Sequence, residues 1–247
     1  MRKFFTDFKY EEGMKTLSIE EQEAKHILKV LRFKVGDKFI ISNYNDQSFE
    51  SEIISSDLKN CVIRLLNKVD ITNKTNINVT IFQGYPKLDK LEFAVQKLTE
   101  IGTKEIIPII TKRVNSKFNI EKFKLDRLNK IAKEACKQCG ISSIPVISEP
   151  IKLNEINLKS LEKYDLIIVP YEKEEETLKE ILRNNINIDE VKNIAVFIGP
   201  EGGFEEEEIQ YIKQLGGQSV SLGKRILRTE TASIFISSIL QYEFGDR

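Results

Sequence analysis

The stretch AVFIGPEGGFEEEEI, residues 195–209, joins an apolar run to a proline, two adjacent glycines and four glutamates. This pattern predicts a buried strand, a tight glycine turn and then a helix, the arrangement in which many proteins hold phosphate. Four carboxylates at the start of a helix suit its positive end but would repel a phosphate there. The turn therefore favours either a ligand without phosphate groups or a plain turn before a well-capped helix.

The surrounding C-terminal part of the chain alternates apolar runs with helical patterns. The apolar runs cover 78–85, 105–110, 165–169, 194–198 and 218–222, and the helical patterns cover 88–102, 122–140, 173–185, 205–215 and 230–243. This alternation predicts an α/β domain with a mostly parallel sheet and helices on both faces. Such sheets bind ligands at the carboxyl ends of their strands, and six of the twelve glycines lie within 199–223. We therefore expect a site built from loops near 170, 199–203 and 222–230.

The N-terminal part follows a different pattern and contains no proline before residue 72. A helical pattern at 18–32 precedes short alternating segments at 37–43, 48–57 and 60–69, which predict strands of a small β-barrel. The polar stretch 70–78 reads as a linker. We therefore predict two domains, 1–72 and 73–247.

Charge is unevenly distributed along a chain of zero net charge. Residues 73–140 carry 14 basic and 7 acidic side chains, whereas residues 141–209 carry 7 basic and 16 acidic ones. The basic segment predicts either a surface that faces a polyanion or a solvated basic helix face. No apolar run is long enough to span a bilayer, and the N-terminus lacks the apolar core of a signal peptide. We expect a cytoplasmic protein that does not contact a membrane.

Histidine and cysteine usage argues against metal chemistry. His26 is the single histidine, so a histidine-rich metal centre is excluded and a Ser-His-Asp triad is disfavoured. Cys136 and Cys139 have the spacing of a zinc or redox motif, but they lie inside a helical pattern without a second such pair. Buried packing is the favoured interpretation for both cysteines, and no metal is expected.

A second stretch, SLGKRILRTETASIFISSIL at 221–240, follows the last apolar run. A basic cluster comes directly after its Leu-Gly turn: Lys224, Arg225 and Arg228. Thr229 or Thr231 is predicted to cap the helix that follows. Arg228 is suited to an electron-rich substrate, and its alternative role is a salt bridge to a neighbour such as Glu230.

The usual nucleotide-binding motifs are absent from the sequence. GPEGGF is neither G-x-G-x-x-G nor a P-loop, and no lysine follows it to meet a phosphate. An ordinary α/β nucleotide-binding enzyme is the weaker alternative for this reason. A phosphate-free cofactor such as S-adenosylmethionine (SAM) fits the turn better.

The pairing of IGPEGGF (198–204) with LGKRILRTETA (222–232) closely resembles the bacterial 16S ribosomal RNA (uracil-N3) methyltransferases of the SPOUT superfamily. The resemblance extends over nearly the whole chain. MRKFF and HILKVLRFKVGDKF (26–39) resemble the family's N-terminal PUA-like barrel, and 87–114 and 133–145 resemble segments of its catalytic domain. Ile141 stands where the family commonly has an arginine.

The resemblance implies a PUA-like β-barrel followed by a SPOUT domain with a deep trefoil knot. It also implies an obligate homodimer that methylates N3 of one uridine in the 16S rRNA of the small ribosomal subunit, uridine 1498. Loop residues would bind SAM mainly through their backbone: Pro170, Ile198, Gly199, Pro200, Glu201, Gly202, Leu222, Gly223, Ile226 and Leu227.

Two catalytic roles follow as a hypothesis from this reaction. We expect Arg228 to stabilise the uracil anion and Glu230, Glu201 or solvent to accept the N3 proton. The predicted RNA contacts are His26, Arg32, Lys112, Arg113 and Arg225. A non-catalytic RNA-binding protein of this fold and a SPOUT methyltransferase of another RNA remain as alternatives.

Overall fold

The computed structural model of the 247-residue chain describes residues 2–19, 21–45, 47–57, 59–70, 75–114, 123–184 and 190–245. The chain forms two compact units, Met1–Lys74 with Cys136–Ile144, and Thr75–Ala135 with Pro145–Arg247. The domain boundary predicted at 72/73 lies outside the described residues.

The first unit is built on a five-stranded sheet. Its strands are β1 (Lys3–Phe5), β2 (Thr16–Ile19), β3 (Lys38–Ser42), β4 (Ser48–Ser56) and β5 (Cys61–Val69). They lie in the order β1-β3-β4-β5-β2, with β1 parallel to β3 and the other pairs antiparallel. Two bulges in the β4–β5 pair increase its twist and help the sheet to curl around its apolar side chains. Helix α1 (Glu21–Lys25) continues into a π-helical turn (His26–Val30).

A later segment of the chain belongs to this first unit, which the sequence did not indicate. The side chain of Cys136 is fully buried beside Phe5 and Tyr44. Lys3 Nζ donates to the carbonyl of Gly140 at 2.7 Å. Burial raises the pKa of the Cys136 thiol to about 12, so it stays protonated and packs as a small apolar group. Ile141 is half-buried in the same segment.

The second unit is built on a seven-stranded sheet in which every pair is parallel. Its strands are β6 (Asn78–Gly84), β7 (Glu105–Ile110), β8 (Val146–Ile147), β9 (Ile151–Lys152), β10 (Leu166–Pro170), β11 (Asn193–Ile198) and β12 (Gln218–Val220). The order is β12-β10-β11-β6-β7-β8, and β9 pairs with β7. The five strands expected from the apolar runs are all confirmed, and the short β8 and β9 were missed.

The helices of this unit largely follow the predicted spans. They are α2 (Leu88–Ile101), α3 (Leu125–Cys139, whose end lies in the first unit), α4 (Leu158–Leu161), α5 (Leu178–Asn184), α6 (Glu206–Gln214) and α7 (Thr229–Leu240), which ends in a π-helical turn (Gln241–Gly245). The helix predicted over 173–185 begins only at Leu178. The loop before it pairs with the end of β12 instead, because Ser221 N–H donates to the Glu176 carbonyl at 2.7 Å.

Alternating side chains of the strands make two apolar faces on the parallel sheet. One face contains Phe82 and Phe197, whose rings stack with centroids 4.4 Å apart, and it packs against Ile209 and Ile212 of α6. On the other face α7 packs against β6, β11 and α2. Helices therefore cover both faces, as predicted, and the trefoil knot stays a prediction.

None of the helices in the described ranges combines the length and apolar character needed to cross a membrane.

The carboxyl ends of β6, β10, β11 and β12 lie side by side in the sheet. Their following loops therefore meet at one edge.

Candidate active site

A cavity of about 730 Å³ lies where the loops after β10, β11 and β12 meet. Every residue predicted to bind the cofactor lines it: Pro170, Ile198, Gly199, Pro200, Glu201, Gly202, Leu222, Gly223, Ile226 and Leu227. The two sequence-distant turns are thus brought together as two walls of one cavity. The binding role of each residue stays a prediction.

The glycine turn at 199–203 is held closely against the end of β6. Gly203 N–H donates to the Pro200 carbonyl at 2.9 Å, and Gly203 has a φ of 71° that favours glycine. A Cβ at Gly84, the last residue of β6, would lie 2.4 Å from the Pro200 nitrogen. The missing side chain of Gly84 therefore lets the strand end support the turn.

The second wall is joined to the glycine turn through Thr229. Its hydroxyl donates to the Gly199 carbonyl at 2.6 Å and accepts from Gln83 Nε2 at 2.8 Å. The prediction that Thr229 or Thr231 caps α7 is wrong, because Arg228 occupies the N-cap position without a side-chain capping bond. The Thr229 hydroxyl links two loops instead of closing its own helix.

The glutamates that follow the glycine turn are structural. The buried Glu208 carboxylate accepts from the backbone N–H of Glu205 and from that of Lys112, both at 2.8 Å. Arg113 donates to the Glu205 carboxylate at 2.8 and 2.9 Å and to the Gly202 carbonyl at 2.7 Å. Lys112 Nζ pairs with Glu207. These contacts cap α6 and neutralise part of its negative charge.

Glu201 is the acidic residue of the glycine turn itself, and it is held by the start of α2. Its carboxylate accepts from the Lys87 backbone N–H at 3.0 Å and lies 3.4 Å from Lys90 Nζ. Partial burial acts to raise the pKa of Glu201, but these contacts outweigh it and hold the pKa below its ordinary value. A carboxylate stabilised in this way is a poor proton acceptor.

The loop between β12 and α7 is exposed and basic. Among the residues that the structure describes, the Arg228 guanidinium makes no ion pair or side-chain hydrogen bond, so the salt bridge to Glu230 is not formed. Lys224 and Arg225 also line the cavity, and Ile226, which follows Arg225, is 87% exposed. The basic charge of this wall is therefore available to a ligand.

Part of the cavity rim, the loop after β10, is acidic. Glu172, Glu174 and Glu175 line the cavity there. Glu174 is oriented by Ser219 and by Lys213, whose ammonium lies 3.2 Å away. The cavity is thus lined by both acidic and basic side chains.

Glu230 does not line the cavity but lies directly behind it. It is buried in the first turn of α7, next to Thr229, which does line the cavity. Its Oε2 has no hydrogen-bond partner among the described residues.

The predicted RNA contacts fall in several places. In the first unit, His26 is exposed with its ring 5.8 Å from that of Phe4, and Arg32 is exposed with a φ of 58°. In the second unit Arg225 lines the cavity, whereas Lys112 and Arg113 are paired with the glutamates of α6. These roles also stay predictions.

Some residues of the site were missed from the sequence. Lys90, Glu172 and Glu174 line the cavity, and no motif pointed to them. Gln83 was a visible signal, since it is a polar residue inside the apolar run 78–85. Within the described ranges, no group of three or more histidine, cysteine, aspartate or glutamate side chains could hold a metal ion.

Comparison with known proteins gives this geometry a context. The RNA methyltransferase domain family matches residues 73–241, and the RNA methyltransferase PUA domain family matches residues 19–66. The ribosomal RNA small subunit methyltransferase E of Bacillus subtilis is 31% identical, over 98% of this chain and 97% of that protein. The chain belongs to the RNA methyltransferase family.

Two further proteins are similar to this chain, one in sequence and the other also in its solved structure. The small subunit methyltransferase E of Mesomycoplasma hyopneumoniae is 35% identical over 83% of this chain and 96% of that protein. The crystal structure of the Neisseria gonorrhoeae methyltransferase E bound to S-adenosyl methionine is 26% identical, with a TM-score of 0.81 over 100% of this chain and 99% of that one. The α/β fold with a PUA-like first unit is therefore that of the SPOUT methyltransferases in this family.

We predict that Glu208→Ala lowers the free energy of unfolding by about 2–3 kcal/mol, because two backbone N–H groups lose a charged acceptor. Glu206→Ala is the matched control: Glu206 is an exposed glutamate of the same turn, and its loss should change stability by less than about 0.5 kcal/mol. Urea denaturation of both variants measures the difference. Equal losses would mean that Glu208 does not anchor the turn.

Glu201→Gln tests the charge that holds the glycine turn to α2. Because the folded-state pKa of Glu201 is lowered, its contribution is present above its unfolded pKa of about 4.3 and is lost as the pH falls through the folded value. The wild-type protein should exceed the variant in stability by less than about 1 kcal/mol at pH 7, since the carboxylate is partly solvated. Thermal melts from pH 7 to pH 3.5 should show this gap closing, and a constant gap would contradict the assignment.

Proposed function

We propose that this protein is a SAM-dependent methyltransferase that methylates N3 of one uridine in the 16S rRNA of the small ribosomal subunit, as a cytoplasmic homodimer. The observation that carries the proposal is one cavity lined by both family motifs and by acidic as well as basic side chains. The methyltransferase E relatives support the substrate class, and the Neisseria structure bound to S-adenosyl methionine supports the cofactor.

The residues of the cavity fit SAM. A volume of about 730 Å³ lies within the usual range for small-molecule sites. A Cβ built at Gly223, whose φ is 110°, meets no atom within 4 Å, so the backbone there is open to a ligand. The acidic rim suits a cofactor with cationic groups and disfavours phosphates. When bound, SAM supplies a methyl group on a sulfonium sulfur, which transfers to N3 without an oxidant or a metal.

Arg228 has the charge that the acceptor base requires. Uracil N3 carries a proton at neutral pH, so the base must lose that proton before or as its N3–C bond forms. The Arg228 guanidinium lines the cavity without an acidic partner among the described residues, and it lies at the positive end of α7. Both charges would stabilise a uracil anion in the manner of an oxyanion hole.

Glu230 is the better of the two candidate proton acceptors. The Glu201 carboxylate is occupied by the Lys87 N–H and the Lys90 ammonium, which favour its ionised form. Glu230 has one oxygen without a described donor and lies in the first turn of α7, one residue beyond the cavity wall. We propose that Glu230 receives the N3 proton through a relay, because its carboxylate does not line the cavity.

The RNA backbone would be contacted by exposed basic side chains that have no acidic partner in the described parts of the chain, and by His26. Lys224 and Arg225 extend from the cavity wall, and the PUA-like unit carries the exposed His26 and Arg32. Lys112 and Arg113 would have to exchange the α6 glutamates for phosphate groups, so we expect them to contribute less. Binding by phosphate contacts of this kind should weaken steeply as salt is added.

We propose a homodimer because the packed helices α2 and α7 carry exposed apolar side chains. Phe93 on α2 and Phe235 on α7 are 48% and 41% exposed, and Tyr242 in the turn after α7 is 82% exposed. Large apolar side chains on neighbouring helices are typical of a protein interface. A partner on α7 would lie next to the loop that lines the cavity.

The proposed function is tested by incubating the protein with labelled SAM and small ribosomal subunits that lack the modification. Mass spectrometry of the digested rRNA should show one N3-methyluridine. Incorporation into a different RNA would correct the substrate, and SAM binding without any transfer would indicate a non-catalytic RNA-binding protein.

In the same assay Arg228→Ala should lower kcat by about 10²–10³, the usual effect of losing an anion-stabilising donor. Calorimetry should show that SAM binding stays within about threefold, because Arg228 acts on the base. Lys224→Ala, which removes another exposed cation of the loop, should raise KM for the subunit more than it lowers kcat. A loss of kcat of about tenfold or less, only about 1.4 kcal/mol, would exclude the assigned role of Arg228.

The dimer is tested with Phe235→Glu, which introduces a charge on the exposed face of α7. We expect sedimentation velocity to show a dimer for the wild-type protein and a monomer for this variant. Leu158→Glu is the matched control, because Leu158 is 60% exposed on α4 of the same unit, outside the α2–α7 face. A monomeric wild-type protein, or equal effects of the two variants, would refute this interface.

A further inference from the structure

Gln83 is a fully buried amide in the middle of the parallel sheet. It has 0% exposure on β6, where the aligned residues of the neighbouring strands are Ile198 and Pro108. Its Oε1 has no hydrogen-bond partner among the described residues. An incompletely satisfied amide is unfavourable in such a place, where leucine or methionine would pack without a polar group.

The hydrogen bonds of Gln83 have a defined direction. Nε2 donates to the Gly84 carbonyl at 3.2 Å and to Thr229 Oγ1 at 2.8 Å. A carbonyl can only accept, so Gly84 orients the NH₂ end of the amide toward Thr229. Thr229 then uses its single hydroxyl proton to donate to the Gly199 carbonyl at 2.6 Å.

We infer that Gln83 is a positioning residue of the cofactor pocket: through the Thr229 hydroxyl it holds the 222–228 loop and the glycine turn at the separation that the cofactor needs. Gln83 does not line the cavity, so it acts through Thr229, which does. The inference rests on the proposed function in one respect, since it takes SAM as the ligand of this pocket. It goes beyond that function because no motif of the sequence assigns a role to Gln83.

The distinguishing variant is Gln83→Leu, which keeps most of the volume and removes the donor. The Thr229 hydroxyl then loses the group that orients it. We expect the Kd for SAM, measured by calorimetry, to rise at least tenfold. The melting temperature of the cofactor-free protein should change by less than about 3 °C, because an apolar replacement of a buried polar group is often nearly neutral.

Gln241→Leu is the matched control for a buried glutamine away from the pocket. Gln241 is also buried, donates to the Gly102 carbonyl at 3.3 Å, and has an Oε1 without a partner in the described part of the chain. Its replacement should leave the Kd for SAM within about twofold of wild type. An equal loss of affinity in both variants would indicate a general effect of buried amides and would overturn the inference.

Thr229 provides a conservative rescue. Thr229→Ser keeps the hydroxyl and should bind SAM within about threefold of wild type, whereas Thr229→Val should lose affinity. Because the two residues act as one connection, the Gln83→Leu/Thr229→Val double variant should bind no more weakly than Thr229→Val. Additive losses would show that Gln83 acts by a route other than Thr229.

Hydrogen exchange supplies a readout that requires no cofactor. In Gln83→Leu, the backbone amides of residues 221–229 should exchange faster than in wild type, since local opening depends on the contacts that close the loop. In Gln241→Leu, their exchange rates should equal those of wild type. A lower melting temperature with unchanged exchange and unchanged Kd would mean that Gln83 is merely structural.

SAM binding that responds as expected, without methylation of rRNA, would refute the proposed function and leave this inference standing. Wild-type protein that does not bind SAM would refute both.

Discussion

The hydroxyl of Thr229 is the point at which the two walls of the cavity meet. It accepts one hydrogen bond from the sheet and donates another to the glycine turn, so a single side chain connects β6, the turn after β11 and the start of α7. The same region depends on close backbone packing, because Gly84 leaves no space for a Cβ beside Pro200. Since one motif supplies the Thr229 hydroxyl and the other supplies the Gly199 carbonyl, their pairing in the sequence reflects a physical contact.

The charges of the site are arranged in two tiers. After the glycine turn, the glutamates at the start of α6 accept hydrogen bonds from backbone N–H groups and pair with Arg113 and Lys112. They therefore contribute to the stability of the turn. Inside the cavity, the loop after β10 supplies acidic side chains and the loop before α7 supplies basic ones. A cavity with charges of both signs suits a reaction between a cationic donor and an acceptor that becomes anionic.

Much of this organisation could be predicted from local sequence patterns, and the rest depends on contacts between distant residues. The apolar runs of β6, β7, β10, β11 and β12 were recognisable because buried parallel strands are nearly continuous in apolar residues. The loops that line the cavity were predictable because glycine and proline mark the ends of those strands. The assignment of Cys136–Ile144 to the first unit was not predictable, since it depends on packing against the sequence-distant Phe5 and Tyr44. The late start of α5 has a similar cause, because the preceding loop pairs with Ser221 at the end of β12.

The residues joined at Thr229 are far apart in the sequence, so the ribosome makes them at different times. Gln83 and Thr229 are separated by 146 positions in the chain, so the ribosome produces the strand that supplies the donor long before the helix that receives it. A nascent polypeptide that has folded only through α6 would contain the glycine turn but lack the 222–228 loop. The pocket is therefore completed only late in folding. A cofactor that binds the completed fold selectively would stabilise the product of the last folding step.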